Sequence, residues 1–92
     1  MQLYAKTVRM IQGRVLHKTY GAYSGVLFLK RKPLACEPIV KTIQPNYQGY
    51  FELDVIQPGT YYVYNEYSLI ANQTIHELVV NPNATRILIT LA

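Results

Sequence analysis

The side chains that could support nucleophilic or metal chemistry are few and widely spaced in this chain. Cys36 is its single cysteine, and His17 and His76 are its two histidines. A thiol beside an imidazole is a pairing used in covalent catalysis, but the spacing of these three residues indicates no such pair. Their spacing also matches no set of zinc ligands. We therefore predict a protein that is not an enzyme, with no catalytic residue, no metal site and no cofactor.

Basic side chains and phenols are the other groups with a chemical use. Residues 1–46 hold eight of the nine Lys and Arg, including Lys30-Arg31-Lys32, and the formal net charge is +4. Lysine and arginine bind phosphates, and tyrosine rings stack on bases. A small nucleic-acid-binding β-barrel is thus one alternative function. The basic run also precedes Pro33 at the end of an apolar stretch, where charges commonly protect a strand edge from aggregation.

Tyrosine supplies most of the aromatic surface. The chain has nine tyrosines, two phenylalanines and no tryptophan, and four of the tyrosines lie in QPGTYYVYNEY, residues 57–67. The segment 17–24, HKTYGAYS, is also rich in tyrosine. Because exposed tyrosines can stack on sugar rings, a carbohydrate-binding accessory module is a second alternative.

The sequence shows no membrane or export signal. Its longest wholly apolar stretch after a glycine, residues 26–29, is far shorter than the roughly 18 residues of a membrane helix. The N-terminal segment has no continuous apolar core and predicts no signal peptide. A single cysteine excludes an intrachain disulfide.

The elements that must position these side chains are predicted to be strands. Apolar residues alternate, or occur in short bursts between turn signals about 8–12 residues apart, which is typical of all-β proteins. No segment keeps a helical period. The sequence predicts one domain spanning residues 1–92, a single antiparallel Greek-key β-sandwich of about seven strands. We place them at residues 7–16, 25–32, 38–44, 50–56, 60–67, 74–80 and 85–91.

Alternation along each strand divides the side chains between two faces. The predicted inward set is Val26, Phe28, Phe51, Leu53, Val55, Tyr61, Val63, Ile87, Ile89 and Leu91. Large apolar or aromatic residues then remain on the outward faces, where they usually mark an interface. The predicted interface consists of Leu27, Leu29, Ile56, Tyr62, Tyr64 and Leu88.

Five short motifs occur in a recognisable order: GRV at 13–15, SGVLFLK at 24–30, QGYFEL at 48–53, PGTYYV at 58–63 and TRILITL at 85–91. Over residues 10–91 the chain resembles a carboxypeptidase regulatory-like domain, one of the transthyretin-like (prealbumin-like) β-sandwiches. The resemblance implies a transthyretin-like or immunoglobulin-like sandwich with a non-catalytic accessory role. Its turn and core positions are Gly13, Gly25, Gly49, Phe51, Pro58, Gly59 and Tyr61. Gly59 is expected to adopt the positive φ of a tight turn, with Tyr61 packed behind it.

The function that we predict is structural. An apolar, weakly charged chain with surplus outward aromatic side chains is suited to packing against copies of itself or against other subunits. We expect a protein partner and an oligomeric state, with nucleic acid a less favoured partner. A capsid decoration or tail protein of a virion, or an extracellular filament subunit, would meet this description. A virion or another assembly is accordingly the favoured location.

Overall fold

The protein is mostly β-structure. A computed structural model describes the backbone of residues 8–92 and the side chains of residues 10–92. Its elements are β1 (Val8–His17), β2 (Gly21–Ala22), β3 (Leu27–Lys30), β4 (Ile39–Ile43), β5 (Tyr50–Ile56), β6 (Gly59–Tyr64), α1 (Glu66–Ala71), β7 (His76–Val80) and β8 (Arg86–Leu91). Within these residues, no helix is long and apolar enough to span a membrane. The all-β class is confirmed.

The strands form two four-stranded sheets. In sheet 1, β1 pairs antiparallel with β5 and with the two-residue β2, and parallel with β8. Sheet 2 has the order β4-β3-β6-β7 and is antiparallel throughout. The predicted count of seven strands is therefore wrong by one, because β2 is too short to produce an alternation. The prediction of a wholly antiparallel fold is wrong for β8, which returns beside β1 in the same direction. The predicted start of the first strand, residue 7, lies outside the described part of the chain.

One hydrophobic cluster fills the space between the sheets. Each fully buried aliphatic or aromatic side chain contributes about 1.5–3 kcal/mol relative to exposure. As predicted, the cluster includes the inward residues of β6, the last two of β8 and the first two of β5. The full set is Ile11, Val15, Leu27, Leu29, Ile43, Phe51, Leu53, Ile56, Tyr61, Val63, Leu78, Val80, Ile89 and Leu91. Ile87, also predicted to point inward, is partly buried against it.

The predicted faces of β5 are wrong at its end. Val55 was expected in the core and Ile56 outside, but Val55 is 47% exposed and Ile56 is 3% exposed. Val55 has a φ of 41°, far from the extended values of a strand. This local turn of the backbone interrupts the alternation of period two, so that Ile56 rotates into the core.

The predicted faces of β3 are reversed. Leu27 and Leu29 are fully buried in the core, whereas Phe28 is half-buried on the opposite side. Phe28 there pairs with Tyr64 of β6. Both sides of β3 are covered, one by the core and the other by α1, which contacts β3 and β6. A strand that is covered on both sides has apolar residues on both sides. Its sequence therefore does not show which set of side chains faces the core.

Helix α1 was not predicted, because residues 60–67 were assigned to one strand. The strand ends at Tyr64, and Asn65 caps the helix by accepting the N–H of Ser68 at 2.8 Å. Ser68 Oγ in turn accepts the Asn65 N–H at 2.8 Å, which completes a capping box. At the other end Asn72 adopts a left-handed conformation, with a φ of 53°. Asn65 and Asn72 thus bound a helix of only six residues.

The glycine of the PGTY motif has the expected backbone. Gly59 has a φ of 139°, a backbone angle that residues with a Cβ rarely adopt. Tyr61 is 2% exposed behind it. The Tyr61 hydroxyl donates to the Gln57 carbonyl at 2.5 Å and accepts from Arg31 Nη1 at 3.1 Å. The buried phenol therefore fastens the turn before β6 to the end of β3. Gly13, Gly49 and Phe51 are buried too, and Gly25 and Pro58 are half-buried.

Gly13 and Phe51 form a tight contact between β1 and β5. They are directly opposite in the register, and both face the core. An ideal Cβ on Gly13 would lie 2.6 Å from Cε1 of the Phe51 ring and 2.8 Å from Cε2. Glycine at position 13 thus leaves the space that the Phe51 ring occupies.

Candidate functional site

The predicted interface does not form as one surface. Four of its six members are 3% exposed or less: Leu27, Leu29, Ile56 and Tyr64. Three of the four belong to the core because of the faces of β3 and β5 described above. Tyr62 is half-buried, and Leu88 is 59% exposed, as predicted for that residue. Of the predicted interface, Tyr62 and Leu88 alone remain accessible on the described surface.

The outer face of sheet 2 is covered, which explains the burial of Tyr64. Tyr64 points away from the core, as predicted, yet it is 0% exposed. Its ring lies 5.1 Å from Nζ of Lys30, and its hydroxyl accepts from Thr74 Oγ1 at 3.3 Å. Lys30 donates to the carbonyls of Leu34 at 3.1 Å and Ala35 at 3.4 Å. The loop after β3 and helix α1 therefore cover the phenol.

The basic run Lys30-Arg31-Lys32 is not a uniform cationic surface. Lys30 is 4% exposed, and its ammonium group is held by backbone carbonyls. The Arg31 guanidinium lies 4.8 Å from the ring of Tyr61 and donates to its hydroxyl. Tyr61 is buried and has no free face for a nucleic-acid base. Lys32 differs from both: none of the described residues hydrogen bonds to its ammonium group or stacks on it. The nucleic-acid alternative gains no support at this position.

The outer face of sheet 1, by contrast, is open within the described residues. The register places Gln12 between Glu52 of β5 and Arg86 of β8. In the next row it places Arg14 between Tyr50 and Leu88. We call these six residues the sheet 1 face: Gln12, Arg14, Tyr50, Glu52, Arg86 and Leu88. A shallow depression of about 420 Å³ lies over five of them.

Arg14 holds a fixed position on the sheet 1 face. Its Nε donates to the carbonyl of Gln48 at 3.0 Å, and its guanidinium carbon lies 4.6 Å from the centroid of the Tyr50 ring. A cation over a tyrosine ring at this distance contributes about 0.5–1 kcal/mol at an exposed site. These two contacts draw Arg14 toward β5 and leave space in front of β1.

The charges of the sheet 1 face are divided between its two sides. Glu52 lies on β5, with Asp54 in the adjoining row outside the face, and both are exposed. Arg86 lies on β8 and is exposed as well. The outward direction of Glu52 and Asp54 follows from the alternation in YFELD, but a single strand could not show which residues lie beside them. The parallel pairing of β8 with β1 is what places Arg86 in the same row as Glu52.

The thiol and the two imidazoles occupy separate settings. Cys36 is an exposed free cysteine in the loop before β4. His17 Nδ1 accepts the N–H groups of Thr19 and Tyr20. Burial lowers the pKa of His76 below its usual value, and the backbone of Thr90 and the charge of Glu77 oppose that shift in part. Among residues 8–92, no three His, Cys, Asp or Glu side chains lie close enough together to hold a metal ion.

No protein-family model matches the sequence, and no curated protein matches it.

Proposed function

We propose that this protein is a non-enzymatic assembly subunit that associates with further copies of itself through the sheet 1 face. The observation that carries the proposal is the division of charge across that face, with Glu52 on β5 and Arg86 on β8 in one row about Gln12. A surface that has opposite charges on its two sides is complementary to a second copy of itself that is related to it by a two-fold rotation.

A two-fold axis parallel to β1 and lying between two facing copies produces this match. It places β5 of one copy opposite β8 of the other and keeps the rows aligned. Glu52 then opposes Arg86 of the partner subunit, and the symmetry repeats the pair. In the next row Tyr50 opposes Leu88 of the partner subunit, which buries the two apolar members of the face. Exposed ion pairs contribute about 0.2–1 kcal/mol each, so the charges set orientation while apolar burial supplies affinity.

Arg14 lies close to the proposed axis and would face its own symmetry mate. Its contacts with the Gln48 carbonyl and the Tyr50 ring hold the guanidinium to the β5 side. The two guanidinium groups are thereby kept apart, and each lies against a Tyr50 ring within the interface. The arrangement of Arg14 thus supports a face that meets a second copy.

The finer description of the protein belongs to the same proposal. We infer a transthyretin-like sandwich on the basis of two packed sheets, the positive φ of Gly59 and the burial of Tyr61 behind it. An ordered assembly larger than a pair requires a second contact between pairs. A virion component, such as a capsid decoration or tail protein, or a filament subunit would use such a combination.

A charge exchange tests the proposal. Sedimentation velocity over a concentration series should show reversible association of the wild type that weakens as salt is added. Arg86→Glu and Glu52→Arg should each weaken association, because each places like charges opposite one another. The double variant should restore it. Glu77→Arg reverses an exposed charge on β7 of the other sheet and should have no effect.

Three results would contradict the proposal. The wild type could remain monomeric at every concentration, the single variants could associate as the wild type does, or the double variant could stay as weak as the single ones. Thermal melts of all four variants separate loss of association from loss of folding. Since the three positions that they change are exposed, we expect the stabilities of the variants to stay within about 0.5 kcal/mol of the wild type.

A further inference from the structure

A cleft lies at one end of the sandwich, formed by the tyrosine-rich turn after β1 and the ends of strands from both sheets. Its volume is about 470 Å³, within the range of small-ligand sites. The side chains that the argument uses are His17, Tyr20, Tyr23, Asn65 and Ile75. None of these belongs to the sheet 1 face, so the site is independent of the proposed association.

Two phenol rings border the cleft. Tyr20 is 83% exposed, which leaves its ring free to contact a ligand. The ring is kept in place by His17, whose centroid is 4.8 Å away at an interplanar angle of 34°. Tyr23 is half-buried and packs against the hydrophobic core. The cleft therefore has one free aromatic surface and one anchored aromatic surface, both of which suit the apolar faces of a ring-shaped ligand.

His17 contributes a hydrogen-bond donor of known direction. Its Nδ1 accepts two backbone N–H groups, from Thr19 at 3.1 Å and Tyr20 at 3.4 Å. An imidazole nitrogen that accepts carries no proton, so neutral His17 has its proton on Nε2. In the part of the chain that the structure describes, Nε2 has no hydrogen-bond partner. It remains available to donate to a ligand hydroxyl.

Asn65 contributes a second donor. Its Oδ1 is occupied, because it accepts the Ser68 N–H at 2.8 Å as the cap of α1. The amide nitrogen Nδ2 makes no hydrogen bond to the described residues and therefore offers its two N–H groups. The capping role fixes the side-chain orientation in advance, which lowers the entropy cost of binding.

The charge of the lining narrows the class of ligand. None of the side chains that line the cleft is Lys, Arg, Asp or Glu. A phosphate or carboxylate would thus find no countercharge there. An uncharged ligand with hydroxyl groups on its rim and apolar ring faces would satisfy both the donors and the phenols. We propose that the cleft binds a neutral saccharide, with Tyr20 stacked on a sugar ring and His17 and Asn65 donating to its hydroxyl groups.

The test is an NMR titration of the full chain with neutral oligosaccharides of glucose, N-acetylglucosamine, galactose, mannose and xylose. At least one should give saturable shifts at the amides of Tyr20, Tyr23 and Asn65. Tyr20→Ala should lower the protein's affinity for that saccharide about tenfold or more, as expected for loss of an aromatic anchor. Tyr47→Ala removes an equally exposed phenol in the turn before β5 and should have no effect.

Asn65→Asp sharpens the test of the polar contacts. Aspartate is as good a helix cap as asparagine, so the capping of α1 and the melting temperature should be kept. The variant lacks the amide N–H groups, and its saccharide affinity should fall. The proposal is overturned if no saccharide of the panel binds, if the shifts lie elsewhere on the protein, or if Tyr20→Ala binds as the wild type does. Tighter binding of a glucuronic acid oligomer than of every neutral one would overturn the assignment of a neutral ligand.

Discussion

Replacing Gly13 with alanine directly tests how β1 and β5 fit together. The new Cβ would lie 2.6 Å from Cε1 of Phe51, closer than packed carbon atoms normally approach. Phe51 is only 6% exposed, so moving its ring aside would disturb contacts in the core. Gly13 is not among the glycines with positive φ, so alanine adds no backbone strain at this position. The steric conflict with the ring is the only cost.

The size of the effect follows from two opposing contributions. Overpacking a core costs about 1–3 kcal/mol, and replacing a strand glycine with alanine returns about 0.5–1 kcal/mol of backbone entropy. We expect a net loss of about 1–2 kcal/mol in the free energy of unfolding. For a domain of this length, that lowers Tm by roughly 5–15 °C.

Urea denaturation and thermal melts of four proteins give the measurement: wild type, Gly13→Ala, Phe51→Leu and the double variant. Leucine has no ring at the point of conflict, so Gly13→Ala should be neutral or slightly stabilising in that background. The double-mutant cycle should then yield a coupling energy of about 1 kcal/mol or more. The same cost of Gly13→Ala in both backgrounds, or no cost in either, would refute the contact with the ring as the cause.

Two further predictions follow from burial. Tyr64→Ala should cost about 3–5 kcal/mol in urea denaturation, by analogy with other buried aromatic residues, whereas the half-buried Tyr62 should cost clearly less; equal costs would contradict the covering of the outer face of sheet 2. Burial lowers the pKa of His76, so the unfolded chain takes up that proton at a higher pH than the folded protein does. Stability should accordingly decline as the pH falls below about 6.5, and His76→Gln should reduce that decline; unchanged pH dependence of Tm in the variant would contradict the assignment.

The strands were predictable from the sequence wherever one side of a strand is covered. The alternation in TRILITL gave the correct faces of β8, and the first four residues of YFELDVI gave those of β5. It failed at β3, because the core covers one side and α1 and the loop after β3 cover the other. It also failed at Val55, because a φ of 41° is a property of one residue that no periodic pattern contains.

The helix and the candidate sites were harder to predict. The signal for α1 was present, as Asn65 and Ser68 are three residues apart, but serine in place of the usual Glu or Gln of a capping box made it weak. The sheet 1 face depends on which strands are neighbours. Alternation can turn Leu88 outward, but only the parallel pairing places Arg86 in line with Glu52. The cleft likewise joins His17 to Asn65, residues that nothing in the sequence connects.

The parallel pairing of β1 with β8 also determines when the fold can be completed. Gln12 pairs with Arg86, so the central strand of sheet 1 waits for a partner that is synthesised almost a chain length later. Folds dominated by such distant pairings form slowly, in milliseconds to seconds. Until β8 arrives, a nascent chain leaves one edge of β1 unpaired and lacks Ile89 and Leu91 in its core. The interval between translation of the first strand and of the last is therefore the period in which this protein is most exposed to aggregation.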